Sequence, residues 1–484
     1  MSFNKLKSVH IVGIGGCAAS GIAELLKDNG VKVSGSELKY NNSLLYLEKK
    51  GINIKYGHSK DNLTANGTSP DLVLYSPAVM ALNPDNPELL EAKSCSIVTE
   101  SWQNFIGDYL NSLGKVGITV SGSEGKGTTA GVLTTILKGT SYDPLSILGA
   151  KIKFEGGVDP SNIYFGTGST YILEGDEFNR NFHHYHPGYN LMINFCYEHP
   201  ETYRDFDEYM ESFYTFFMGM TQPRTLILRA CQNTIEFVKK FNISKTHRII
   251  WFGSKNLLSL IDSGEKWQID QESTDQNGST FVLINNKQEF SIQLSVLPAF
   301  MILNAAAAII TAIDLGLSLD TIQANLNTFK GMVRRFDVYK TINGKGRIIT
   351  DYGHSPESIE HIVTETRQIF GKTPIHLIFH PHLYSRTYNF FNDFVRVLSN
   401  ADKITILDIY PAREKSIEWE EKVKSLDLIN AVKQKNSNVF YGGKPEEISE
   451  NLSGQIDVNE ITIFIGAGNM DLYYMPLIKS YTIK

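Results

Sequence analysis

The chain has 484 residues, 42% hydrophobic and 20% charged, with a formal net charge of −6 and a pI of about 6.1. That length asks for about three domains rather than one core, and the mildly acidic balance excludes the basic face of a nucleic-acid binder. Four scattered cysteines without C-x-x-C spacing, and the lack of an apolar run of about 18 residues, predict a cytoplasmic enzyme without disulfides, zinc motif or membrane span.

A short apolar strand over 8–12 runs into Gly13-Ile14-Gly15-Gly16, with a helix predicted over 20–29 and a strand over 31–34. Further strands are expected over 52–56 and 72–76, and the polar stretch 111–115 reads as a linker. A second unit opens with a strand over 116–120, a loop over 121–126 and a helix over 130–137, and extends to about residue 330. Within it, 267–294 alternates polar and apolar residues as antiparallel strands do, and 304–315 is an Ala-rich helix. A third unit follows Gly331, with strands over 347–350, 375–379, 404–407 and 461–465. Strands spaced by helices predict parallel α/β sheets.

Two loops carry chemistry. Gly122-Ser123-Glu124-Gly125-Lys126-Gly127-Thr128-Thr129 follows a strand and opens a helix. Its glycines turn backbone amides toward a polyphosphate, and Lys126 adds a point charge. It is shorter than the full P-loop and lacks a hydroxyl directly after the lysine. The turn at Gly13, Gly15 and Gly16, followed by Ser20, is of dinucleotide type. Glu37, about twenty residues on, stands where a ribose-binding carboxylate sits in the NAD-binding version. On that segment by itself a nicotinamide dehydrogenase stays open, as does a merely solvated Glu37.

Taken together, the loops resemble those of the Mur ligases of peptidoglycan synthesis. Val33-Ser34-Gly35-Ser36-Glu37, Tyr56-Gly57-His58, Glu174-Gly175-Asp176-Glu177 and Asn194-Phe195-Cys196-Tyr197-Glu198-His199 are similar to that family's landmarks. So are Arg334-Arg335-Phe336, Asp351-Tyr352-Gly353-His354-Ser355-Pro356, His380-Pro381-His382-Leu383-Tyr384-Ser385-Arg386-Thr387 and Phe464-Ile465-Gly466-Ala467-Gly468-Asn469. The resemblance spans essentially the whole chain. Sibling ligases that add later amino acids use a carbamylated lysine after the His segment. No lysine occurs between His199 and Lys239, which agrees with the alanine-adding branch.

The resemblance implies an α/β chain of three domains: a Rossmann-like UDP-sugar-binding domain over 1–112, a P-loop ATP-binding domain over 113–330 and a Rossmann-like amino-acid-binding domain over 331–484. It implies an ATP-dependent ligase joining an amino acid, L-alanine by this branch, to the carboxylate of UDP-N-acetylmuramate or a related UDP-sugar through an acyl phosphate. ATP and Mg2+ would be the cofactors, and a homodimer is one arrangement open to the chain.

Gly13, Gly15, Gly16, Ser20, Glu37 and Ser76 would face the UDP-sugar. Gly122, Ser123, Gly125, Lys126, Thr128, Asn304, Arg335 and Asp351 would face ATP, with Asn304 at the adenine and Asp351 at the ribose. Glu174 and His199 would hold magnesium. Glu177 reads as a neighbour of those ligands or a solvated helix charge, and Arg334 as facing solvent. Lys126, His199, Arg335, His354 and Arg386 would carry the chemistry, with Tyr352, His354 and Arg386 around the amino acid.

The pattern is broken at Gly127, where the family has a hydroxyl, at Glu124 for a histidine, and at Phe300-Met301 for a His-Asn pair. It is broken again at Leu383, for an arginine near the amino acid, and at Cys196 and Glu198, for acidic residues. A tripeptide-recycling ligase and a degenerate binder of UDP-sugar or ATP with little catalysis therefore stay open.

Overall fold

In the first sheet the apolar residues of the inner strands are buried, as parallel strands need, while the strands at its two edges are partly exposed. The computed structural model describes residues 6–482, apart from 65–67, 155–159, 201, 287, 296–297, 343, 413, 415, 420 and 469. Within them, β1 (Ser8–Val12), β2 (Lys32–Glu37), β3 (Asn53–Tyr56), β4 (Leu72–Tyr75) and β5 (Val98–Ser101) form a parallel sheet in the order β3-β2-β1-β4-β5. Val9, Ile11, Leu72 and Leu74 are buried with Ile22, Leu25 and Leu26 of the helix Cys17–Asp28. That helix starts before the expected residue 20, because Gly16 holds the extended backbone of an N-cap and the turn passes straight into it.

The second sheet has ten strands among the described residues. They are β6 (Val116–Ser121), β7 (Leu145–Ile152), β8 (Ser161–Phe165), β9 (Thr170–Glu174), β10 (Tyr189–Met192), β11 (Thr225–Arg229), β12 (Arg248–Gly253), β13 (Glu265–Asp275), β14 (Gly278–Asn285) and β15 (Gln288–Leu294). Their order is β15-β14-β13-β12-β11-β10-β6-β9-β7-β8, so β6 lies well inside the sheet with β9 and β10 parallel on either side. Antiparallel pairing over 267–294 holds for β14 with β15, whereas β13 joins β12 in parallel. The helix Lys126–Leu137 is buried under Phe300–Asp314, whose run Ala305–Ala308 lets the two backbones approach.

The stretch read as a linker is held on both sides. The helix Trp102–Ser112 buries Phe105, Ile106 and Leu110, and Asn111 donates to His184 O at 3.2 Å and accepts from His186 N at 3.3 Å. A Cβ on Gly21 would meet Asn162 Nδ2 at 2.9 Å, so the first glycine turn's helix is seated on the β7–β8 hairpin.

Both sheets belong to one compact unit, comprising Met1–Ser273, Ser279–Val296 and Phe300–Gly331. The other unit, Thr274–Gly278, Leu297–Ala299 and Met332–Lys484, carries β16 (Asp337–Lys340), β17 (Arg347–Asp351), β18 (Ile375–Phe379), β19 (Lys403–Ile406), β20 (Val439–Tyr441) and β21 (Ile461–Ile465). Their order is β16-β17-β21-β18-β19-β20, all parallel except β16. No helix among the described residues is long and apolar enough to cross a membrane.

Candidate active site

The first turn is drawn tight by its backbone. Gly13 and Ile14 both donate to Ser36 O, at 2.9 and 3.1 Å, and Gly13 has φ +81° with Val79 Cγ2 only 2.8 Å from where a Cβ would stand. Only glycine fits there without strain. Gly16 caps the helix, Ser20 is buried one turn along it, and Ser76 N donates to Val12 O at 3.1 Å. Glu37 is not a solvated charge. Its carboxylate accepts from Gly15 N at 3.0 Å and from Leu38 N at 2.8 Å, so it fastens the turn.

Beneath this turn lies a cluster that sequence reasoning missed. Glu88 is fully buried and accepts from Ser36 Oγ at 2.6 Å, Ser59 N at 3.2 Å and Asn62 Nδ2; His10 Nε2 lies at 3.3 Å and His58 Nδ1 at 3.7 Å. Burial pushes its carboxyl up, but His10, His58, Ser36 and Asn62 outweigh that and hold it well below the usual range. The same Ser36 supplies the carbonyl that sets the turn.

The second loop is built on β6. Gly122, at φ +112°, has Asn194 O 2.4 Å from an added Cβ, and Gly125, at φ +87°, has Asn304 Oδ1 at 2.5 Å. Asn304 therefore sits directly against the loop. The helix begins at Lys126, not near residue 130, which puts the lysine in its first turn. Ser123 Oγ donates to Cys196 O and accepts from Cys196 N, both at 3.0 Å, so this hydroxyl ties the loop to the segment leading to His199. Thr128 is buried, and the Glu124 side chain is exposed. A side chain at Gly127 would meet Glu174 Oε1 at 2.9 Å, so a hydroxyl-bearing residue there requires Glu174 to move.

Lys126 Nζ donates to Gly122 O at 2.7 Å, to Ser123 O at 3.4 Å and to both oxygens of Glu177, at 2.8 and 3.0 Å. Glu177 is fully buried, which removes the solvated-charge alternative and leaves that of a neighbour of the ligand residues. Burial would raise its carboxyl and lower the lysine; their mutual attraction wins, holding Glu177 below and Lys126 above their ordinary values. His199 Nε2 stands 3.5 Å from Glu177, and ligand atoms of Glu177, Glu198 and His199 lie within 4.8 Å of one another. His199 is thus grouped with Glu177 and Glu198, and Glu174 accepts from Gly149 N. Burial raises the Glu198 carboxyl, with Lys126 opposing. His199 also holds a left-handed backbone, φ +57°, unusual for a residue with a side chain.

In the other unit Asp351 is buried and accepts from Phe336 N and Gly353 N, each at 2.7 Å. Burial pushes its carboxyl up, and Arg335 and these amides offset that only partly. Of the adjacent arginines, Arg335 is exposed and Arg334 is not. Arg334 donates to Gly468 O at 2.6 Å and to Gly466 O, and pairs with Asp471 at 3.3 Å, so it binds the last glycine turn rather than facing solvent; Asn469 of that turn lies outside the described residues. Both guanidiniums stack over Tyr352, at 4.8 and 5.6 Å. His354 Nδ1 donates to Tyr352 O at 3.1 Å, and burial, then Arg386, lowers its pKa to about 4. The ring is therefore neutral at pH 7, with Nε2 carrying a lone pair. His382 lies 5.6 Å from His354, ring to ring, and 3.2 Å from Arg386. Leu383 is 6% exposed at φ +71°, starting the helix Tyr384–Asn389, so it packs inward.

A phosphate-type loop at a helix N-terminus, a buried lysine–carboxylate pair beside two further ligand groups, and largely parallel α/β sheets define a nucleotide-using α/β enzyme. Residues 8–112 match the Mur ligase family, catalytic domain; 120–312 match the Mur ligase middle domain; 334–468 match the Mur ligase, glutamate ligase domain. The chain is 32% identical to a UDP-N-acetylmuramate--L-alanine ligase of Acetivibrio thermocellus, covering 96% of this chain and 94% of that protein. It is 31% identical to the ligase of the same name from Aquifex aeolicus, covering 99% of each. A crystal structure of UDP-N-acetylmuramate-alanine ligase from Thermotoga maritima shares the fold, with TM-score 0.79 at 24% identity over 98% of both chains. The chain belongs to the Mur ligase family, whose three-domain α/β fold and ATP-dependent ligase activity it shares.

Proposed function

We propose that the protein joins L-alanine to the carboxylate of UDP-N-acetylmuramate, with ATP converting that carboxylate into an acyl phosphate, as a step of peptidoglycan precursor synthesis in the cytoplasm. The observation that carries this is Lys126 in the first turn of its helix, amid Glu174, Glu177 and Glu198, in a chain similar from end to end to alanine-adding ligases. A carboxylate is a poor electrophile. Moving phosphate onto it spreads negative charge that Lys126 and the guanidinium of Arg335 stabilise. The turn at Gly13, Gly15 and Gly16 faces the UDP pyrophosphate, with the Gly15 amide the donor that Glu37 would yield to it, and Asn304 and Asp351 are the groups for adenine and ribose. His354, neutral with Nε2 free of its own proton, takes the proton from the attacking amine; Arg386 pairs the amino-acid carboxylate.

The donor set suits magnesium: buried and half-buried oxygens of Glu177 and Glu198 beside His199, with Glu174 close to the loop, outnumber the single lysine in charge. Bound there, the metal would neutralise charge on the transferring phosphoryl group.

The test is phosphate release from ATP with UDP-N-acetylmuramate and a panel of amino acids and the recycled tripeptide. L-Alanine should give the highest kcat/KM. Turnover with the tripeptide alone would make the protein a recycling ligase, and none with any acceptor would make it a binding protein.

A further inference from the structure

Lys126 has three protons to donate, and the structure uses them on Gly122 O, Ser123 O and the Glu177 carboxylate. A phosphate oxygen reaches this ammonium only by displacing one of those acceptors. The two carbonyls belong to the loop itself, so the exchangeable acceptor is Glu177. Yet Glu177 is fully buried, and a buried carboxylate stripped of its countercharge is costly. Its remaining neighbours do not replace the lysine: Glu198 brings a second carboxylate to the same place, and His199 Nε2 stands farther off, at 3.5 Å. A divalent cation can, because Glu177, Glu198 and His199 already present ligand atoms within 4.8 Å.

We propose that Glu177 is a positioning residue that makes phosphate capture by Lys126 conditional on a divalent cation. The cation takes Glu177, Glu198 and His199; the released lysine takes the phosphate. One carboxylate thus exchanges one cation for another, and metal and nucleotide each strengthen the other's binding, as linkage requires. The segment around the exchange is braced. Tyr203 Oη donates to the backbone carbonyl of Glu177, and Tyr197 Oη donates to Tyr203 O at 2.6 Å, so the Glu177 backbone stays put while its side chain changes partner.

This inference rests on the nucleotide-loop reading above, and binding measurements on the full chain separate the two. ADP titrated by calorimetry should bind the unmodified protein about tenfold or more weaker in EDTA than in magnesium, within the usual range of coupling between sites. Since any magnesium–nucleotide site shows some dependence, the decisive quantity is the ratio in Glu177→Gln, which keeps the acceptors and removes the charge. That ratio should fall to about threefold or less, because ADP now binds without metal. Lys126→Met gives the reciprocal result, with Mn2+ alone binding about tenfold tighter than to the parent. An unchanged ratio in folded Glu177→Gln overturns the proposal; so does Mn2+ affinity unaffected by Lys126→Met, which decides the matter if Glu177→Gln fails to fold. ADP binding to no form under any condition removes the nucleotide reading, and this inference with it.

Discussion

At the first glycine turn a carboxylate, Glu37, rests on the amide of Gly15; at the second an ammonium, Lys126, rests on the carboxylate of Glu177. Both are strand–glycine–helix turns and read nearly alike as sequence, but they are filled by opposite charges. The first has neutral backbone donors already holding an anion at 3.0 Å, so a pyrophosphate needs no rearrangement beyond the departure of a partly exposed side chain. The second keeps its cation engaged with a buried partner, so its ligand must be exchanged in. A glycine turn therefore announces an anion site, while the charges around it decide whether that site is open or conditional.

Lys126→Ala is the most severe way to break this contrast. Phosphate release should fall about 100-fold or more, and unfolding free energy should drop by about 3–5 kcal/mol at pH 7, because Glu177 is left buried and unpaired. UDP-sugar affinity, which the proposed function places at the first turn, should stay within about twofold. An equal loss at both turns would show that they do not act separately.

Acid should separate the groups next. Glu177 has a folded pKa below its ordinary 4.5, so its stabilisation is present above that pH and is lost as pH falls through the lower, folded value. His354 goes from an ordinary 6.5 to about 4 in the fold. Between those values the unfolded chain binds the extra proton, so stability declines as pH drops from 6.5 toward 4, by about 3 kcal/mol at most. Urea melts of His354→Gln should lose that slope, and a slope unchanged from the parent would place its origin elsewhere.

Gly13→Ala should cost roughly 1–3 kcal/mol and weaken UDP-sugar binding, because the added methyl meets Val79 at a left-handed φ; thermal melts and UDP titration measure both. Glu37→Gln is the mildest probe. It keeps an acceptor for Gly15 N and removes a charge beside the expected pyrophosphate, so UDP-sugar should bind about two- to fivefold tighter. Weaker binding would instead mean that the carboxylate holds a hydroxyl of the ligand.

Much of this was legible in the sequence, because glycines, a lysine and strand periodicity are local signals. The loop at Lys126, the turn at Gly13 and the alternation of strands and helices needed no tertiary information. What escaped depends on residues distant in the chain. Glu88 is ionised by partners such as His10 and Ser36, and no spacing rule links them. Arg334 and Arg335 are equivalent as letters; which one turns inward is decided by the carbonyls of Gly466 and Gly468. In the sequence Glu177 stays open between a neighbour of the ligands and a solvated helix charge, because its partner Lys126 lies 51 residues away in the chain. Leu383 suggested a changed amino-acid pocket, yet the left-handed backbone at the helix start turns it into the core.

The place of β6 inside its sheet also governs the order in which the chain can fold as it is synthesised. The first sheet is complete once Ser101 has been made, all its partners being close behind one another. The nucleotide loop is different: β6 waits for β9 and β10, and Asn304, which rests against Gly125, is made far later. Closing such long loops is slow. A nascent chain of this protein thus carries a finished first sheet beside an unfinished loop after β6 from Ser101 until Asn304 is made, and its central apolar strands are the segment that most needs protection from neighbouring chains.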